Sequence, residues 1–264
     1  MQMPASHVAL RFSYIFLCLG PFLAIAFAAI RALRIPGVYE LIGGVNFAMF
    51  AIATWILARR GTKTELPEMQ LAAIAGSILV LPFSLIALLW VGIGPTWFAS
   101  PAENKMRYVV LVVMAAAVVC GCVALKEALG VAGERFYSTL GFAGMVLAGP
   151  FYLVGEAIML AAYSATVQDI LLFFGGVLTY AATAAFAVSL CQVGWLGRGA
   201  CRTFVGLSIV ALLSLVSRGL QFPDPAAPST PWYTLPGFIA GIPAVPFIIP
   251  YLLGVISLRH SSRA

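Results

Sequence analysis

Residues 70–93 read QLAAIAGSILVLPFSLIALLWVGI, without one charged side chain. A helix crosses a bilayer with roughly 20 mostly apolar residues, so this stretch predicts a transmembrane span. Seven further windows qualify on either side of it: 12–30, 37–58, 108–125, 139–163, 170–193, 203–222 and 236–258. Only three of the eight contain a charged residue: Glu40 in the second, Glu156 in the fifth and Arg218 in the seventh.

The composition points the same way. The chain of 264 residues is 62% hydrophobic and 9% charged, with a mean hydropathy of +1.03. Soluble domains carry roughly 25% charged residues, because a folded chain needs a polar surface in water. The solvent facing most of this protein must be lipid. The expected fold is an all-α, polytopic transmembrane helix bundle of about eight spans, built as one integral membrane domain over residues 1–264. The lipid bilayer is its principal partner.

The first window is too long for the apolar part of a typical signal peptide and has only Arg11 in front of it. It therefore reads as a span, with more spans following. The small residues at 24–29 leave a cleaved leader as the alternative.

The formal net charge is +6. Nucleic-acid binding needs Lys and Arg clustered on a soluble face, whereas here they stand singly or in pairs at the ends of apolar runs. With the N-terminus inside, the inner side holds ten: Arg11, Arg59, Arg60, Lys63, Lys126, Arg135, Arg198, Arg202, Arg259 and Arg263. The outer side holds five: Arg31, Arg34, Lys105, Arg107 and Arg218. Positive loops stay cytoplasmic, so both termini are expected there, in a cell (plasma or inner) membrane. Arg31 and Arg34 in the first loop run against this bias.

The connections at 94–104 and 221–235 are the longest with turn chemistry. Their prolines, among them Pro95, Pro101, Pro223 and Pro228, cannot continue a helix. Trp97, Trp232 and Tyr233 suit the headgroup layer.

Proline also falls inside the spans. Pro-Phe occurs at 21–22, 82–83, 150–151 and 246–247. The first three lie on spans running in one direction and are compatible with a duplicated hairpin. The last span carries Pro243, Pro246 and Pro250 on one helix face and is expected to be kinked or partly unwound. Broken helices surround the substrate sites of many transporters and also occur as plain kinks.

Ionisable groups within a membrane are costly and usually face the bundle interior. At 1.5 Å per residue, Glu156 lies about 7 Å outward of its span's midpoint, and Arg218 at about the same depth on the seventh span. Glu40 belongs to the same leaflet, and Asn46 lies near the midplane. Tyr152 is one helical turn from Glu156. These five residues form the candidate ligand or proton site, centred on a Glu156–Arg218 contact. That contact serves either traffic or a helix–helix clamp.

Other chemistries lack residues. His7 and His260 stand near the termini and no span holds a histidine, which disfavours haem ligation, zinc hydrolysis and a His-based triad in the membrane. The five cysteines, Cys18, Cys120, Cys122, Cys191 and Cys201, read as free, small hydrophobes. Cys120 and Cys122 are two apart and point to nearly opposite helix faces, while Cys191 and Cys201 flank one loop and could meet. No cofactor or metal is expected. An enzyme is the weakest reading. A small transporter or permease for an apolar or amphipathic solute or lipid fits best. The alternative is a non-catalytic membrane subunit or assembly factor, with a membrane-protein partner or further copies of itself.

Overall fold

The computed structural model describes residues 7–30, 37–93, 100–161, 165–219 and 245–263. They form eight helices: α1 (His7–Ile30), α2 (Val38–Gly61), α3 (Pro67–Gly92), α4 (Pro101–Val131), α5 (Phe136–Leu160), α6 (Ala165–Gln192), α7 (Arg198–Gly219) and α8 (Val245–Ser261). The all-α, multi-pass membrane architecture is as expected, but the number of spans is not. Among the described residues five helices, α2 to α6, are long and apolar enough to cross a bilayer, rather than eight. Of the other three, α1 keeps a shorter apolar helical segment, Val8–Ala24, among the described residues.

Local chemistry sets the helix ends. Pro67 and Pro101 occupy first-turn positions, where the missing N–H costs nothing. Ser100 and Glu103 form a capping box: Glu103 N donates to Ser100 Oγ at 3.3 Å and Ser100 N donates to Glu103 Oε2 at 2.7 Å. At the other ends, Gly133 (φ 100°) and Gly194 (φ 76°) turn the chain after α4 and α6 through left-handed backbone.

Pro21, Pro82 and Pro150 stand inside α1, α3 and α5, which continue through them. The expected triple kink of the last span is narrower in the structure. Pro243 lies outside the described residues. Pro246 falls in the first turn of α8, so it breaks no internal bond, and Pro250 alone sits within the helix.

Helix α3 is the hub and packs on α2, α4 and α8. One core joins its Leu79 and Ile86 to Val118, Leu125, Met145 and Phe186. A second, on its opposite side, is an aromatic knot. Phe50 lies 6.2 Å from Phe83 and 5.9 Å from Tyr251, and Phe83 lies 5.0 Å from Tyr251, between ring centroids. Backbone approach makes the α3–α8 contact tight: a Cβ on Gly76 would stand 2.7 Å from the Gly254 carbonyl oxygen. Small residues at such crossings are how membrane helices gain packing without a hydrophobic drive.

The surface is inverted relative to a soluble protein. Phe12, Leu41, Trp55, Leu147 and Leu213 are each at least 60% exposed, while Arg107, Glu134 and Glu156 are buried. The turns after α2, α4 and α6 share one end of the bundle with the C-terminus of α8. A Cβ on Gly61 would meet Ser261 at 2.6 Å, Trp195 reaches Glu68, and Glu134 reaches Ser189.

Candidate functional site

At the opposite end, helices α4, α5 and α6 bring polar groups together inside the bundle. Glu156 projects from α5 and is only 4% exposed. Tyr152, one turn earlier, is 6% exposed, and its hydroxyl meets Thr179 Oγ1 of α6 at 3.1 Å. Thr179 donates in turn to the Gly175 carbonyl at 2.8 Å, which satisfies its own hydrogen within α6. Gly175 also makes room for the phenol ring: a Cβ there would stand 3.0 Å from Tyr152 Cζ.

Helix α4 supplies the opposite charge. Arg107 is 2% exposed, with its Cζ 6.0 Å from the Trp90 ring centroid on α3. Tyr108, beside it, lies within the electrostatic reach of both Arg107 and Glu156, and Tyr152 within that of Glu156. Depth agrees with this grouping. Arg107 is about 9 Å from the start of α4 and Glu156 about 6 Å from the end of α5, at 1.5 Å per residue. The arrangement offers a carboxylate, a guanidinium and two phenols in a low-dielectric setting, where charge and hydrogen bonding act strongly.

Of the five residues read from the sequence, Glu156 and Tyr152 belong to this cluster. Glu40 is exposed near the start of α2. Asn46 is 7% exposed on the inner face of α2, and its Nδ2 has no hydrogen-bond partner among the described residues. That helix packs on α1, α3 and α8, whereas α5 packs on α4 and α6. Arg218 is on α7, and its side chain lies outside the described residues, as does any contact with Glu156. Sequence reasoning counted Arg107 as a loop cation one residue before a span. The Ser100–Glu103 capping box, followed by Pro101, carries the signal that α4 starts earlier and takes Arg107 inside.

Two polar anchors at the basic end also escaped the sequence. Glu134 is buried in the α4–α5 turn and accepts from the amides of Tyr137 (2.7 Å) and Ser138 (3.0 Å) and from the Ser189 hydroxyl of α6. Burial pushes its carboxyl up, but these donors outweigh that and hold it below the usual range. Glu68 Oε1 receives both Trp195 Nε1 (3.2 Å) and His260 Nε2 (2.9 Å). The indole and imidazole stack 4.1 Å apart at 14°. This latch ties the start of α3, the α6–α7 turn and the end of α8.

Cys191 and Cys201 are both free thiols on facing ends of the α6–α7 hairpin, within electrostatic reach of each other, and Cys201 Sγ donates to the Ala187 carbonyl at 3.5 Å. Among the described residues, no three His, Cys, Asp or Glu side chains gather in a way that could hold a metal.

No family model matches the chain, and no curated protein or solved structure is similar to it. What the fold and the buried cluster define is a multi-pass helical membrane protein.

Proposed function

We propose that this protein is a small transporter or permease for an apolar or amphipathic solute or lipid, and that the cluster around Glu156 and Arg107 receives the solute's polar end. The supporting observation is the burial of two ionisable groups of opposite sign on adjacent helices, in a chain only 9% charged. Buried ions within a membrane are expensive and mark binding sites or pathways. Two buried ions kept only for packing would be replaceable by apolar residues at little cost.

The same reading puts α1, α7 and α8 in the bilayer beside the five long spans. Exposed Phe12 and Phe22 on α1 and Leu207 and Leu213 on α7 suit lipid. Helix α8 is packed into the bundle through Tyr251, Leu253 and Leu258. The end carrying Arg59, Arg60, Lys63, Arg135, Arg198 and Arg259 faces the cytoplasm, by the positive-inside rule.

A second reading, a non-catalytic subunit or assembly factor, draws on α7. This helix packs on α6 and leaves Leu207, Val210 and Leu213 at least 60% exposed, a face that a partner could cover.

Native mass spectrometry of the chain, extracted gently from its own membrane, separates the two. Transport predicts a monomer or homo-oligomer carrying a reproducible small-molecule or lipid adduct that Glu156→Gln and Arg107→Gln each reduce. A stoichiometric protein partner, with no adduct sensitive to those substitutions, would replace this reading with the subunit.

A further inference from the structure

An open cleft lies on the outside of the bundle where α4 turns into α5. Lys126, Glu127 and Gly130 line it from α4, and Arg135, Ser138 and Thr139 from the turn and the start of α5. Its height is set by α4, whose 31 residues span about 46 Å, the thickness of a bilayer with its headgroups. Lys126, five residues before the end of α4, therefore stands at headgroup level. Toward the bilayer centre the neighbouring surface is apolar, with Val123, Leu140 and Leu147 all exposed.

The charges alternate. Lys126 Nζ lies 2.8 Å from Glu127 Oε1, and the Glu127 carboxylate also feels Arg135. A single carboxylate thus faces two cations. Glu134, the nearest further acid, is buried and turned onto the Tyr137 and Ser138 amides, so it does not add to the cleft. The floor is open at Gly130, where a Cβ would meet nothing within 4 Å.

We propose that this cleft seats the headgroup of a zwitterionic phospholipid of the phosphoethanolamine class. The phosphate oxygens accept from Lys126 and Arg135 in charge-assisted hydrogen bonds. The primary ammonium donates to Glu127, and the acyl chains follow the apolar surface beside Leu140 and Leu147. A headgroup without an ammonium leaves Glu127 competing with the phosphate for Lys126 and Arg135.

The test uses the full chain, delipidated in detergent and titrated with phosphatidylethanolamine, phosphatidylglycerol or inorganic phosphate, with native mass spectrometry as the readout. Phosphatidylethanolamine should bind about tenfold more tightly than phosphatidylglycerol, as expected for one charge-assisted hydrogen bond. The double variant Lys126→Gln/Arg135→Gln should lose that preference. So should Gly130→Leu, which fills the floor, removes no charge and favours the helix, and it stands as the test if the double variant does not fold. Glu156→Gln should leave the preference intact, which keeps this site separate from the buried cluster. Equal or tighter phosphatidylglycerol binding, capture of inorganic phosphate alone, or an unchanged preference in Gly130→Leu would overturn the assignment.

Discussion

Glu134 shows how one buried acid can organise a turn. Its carboxylate closes the first turn of α5 and holds Ser189 of α6, so the charged form is favoured in the folded chain. A carboxyl held below its unfolded value near 4.5 contributes stability that is present above that value. The contribution is lost as pH falls through the lower, folded value. The melting temperature in detergent should therefore drop on acidification below the usual carboxylate range, and Glu134→Gln should flatten that dependence. Glu134→Ala should cost about 1–2 kcal/mol in denaturant or thermal unfolding, as loss of a helix cap does. At this scale the sequence was readable wherever partners are close along the chain. Tyr152 beneath Glu156 follows from helical spacing, but Thr179 is 27 residues away on another helix, and nothing local selects it. Glu134 was hidden for the same reason, because Ser189 is 55 residues distant.

Among the elements, the latch of Glu68, Trp195 and His260 joins three helix ends and carries its own pH dependence. Burial pushes the His260 imidazole below its ordinary value of 6.5, Glu68 partly offsets this, and Arg263 pushes further down. An imidazole held neutral in the folded chain contributes stability above 6.5, and acid removes it as pH falls through the folded value. Emission from Trp195, stacked on that ring, should change below the ordinary imidazole range and stay flat in His260→Gln. Helix order was legible because apolar runs follow one another along the chain, but among the described residues only five of them are long and apolar enough to span. The exact ends were less so, since caps rather than hydropathy decide them. The start of α4 shows the consequence: hydropathy begins the span at 108, the capping box begins the helix at Pro101, and Arg107 moves from loop to interior.

For the whole molecule, the account rests on one geometry: a bundle in lipid with basic turns at one end and the Glu156–Arg107 cluster toward the other. Composition made the membrane setting plain, since a chain 9% charged has no soluble surface to offer. Which helices touch was not legible, because lipid-facing and helix-facing positions are both apolar and only close approaches such as Gly76 to Gly254 distinguish them. The most direct test is side-specific labelling in sealed membranes of variants whose five native cysteines are replaced. Single cysteines go in at Thr62→Cys and Gly197→Cys in the basic turns, and at Ala102→Cys at the start of α4. The account predicts that an impermeant thiol reagent reaches the first two from the cytoplasmic side and the third from the opposite side. Labelling of all three from one side, or of all three from both, would contradict it.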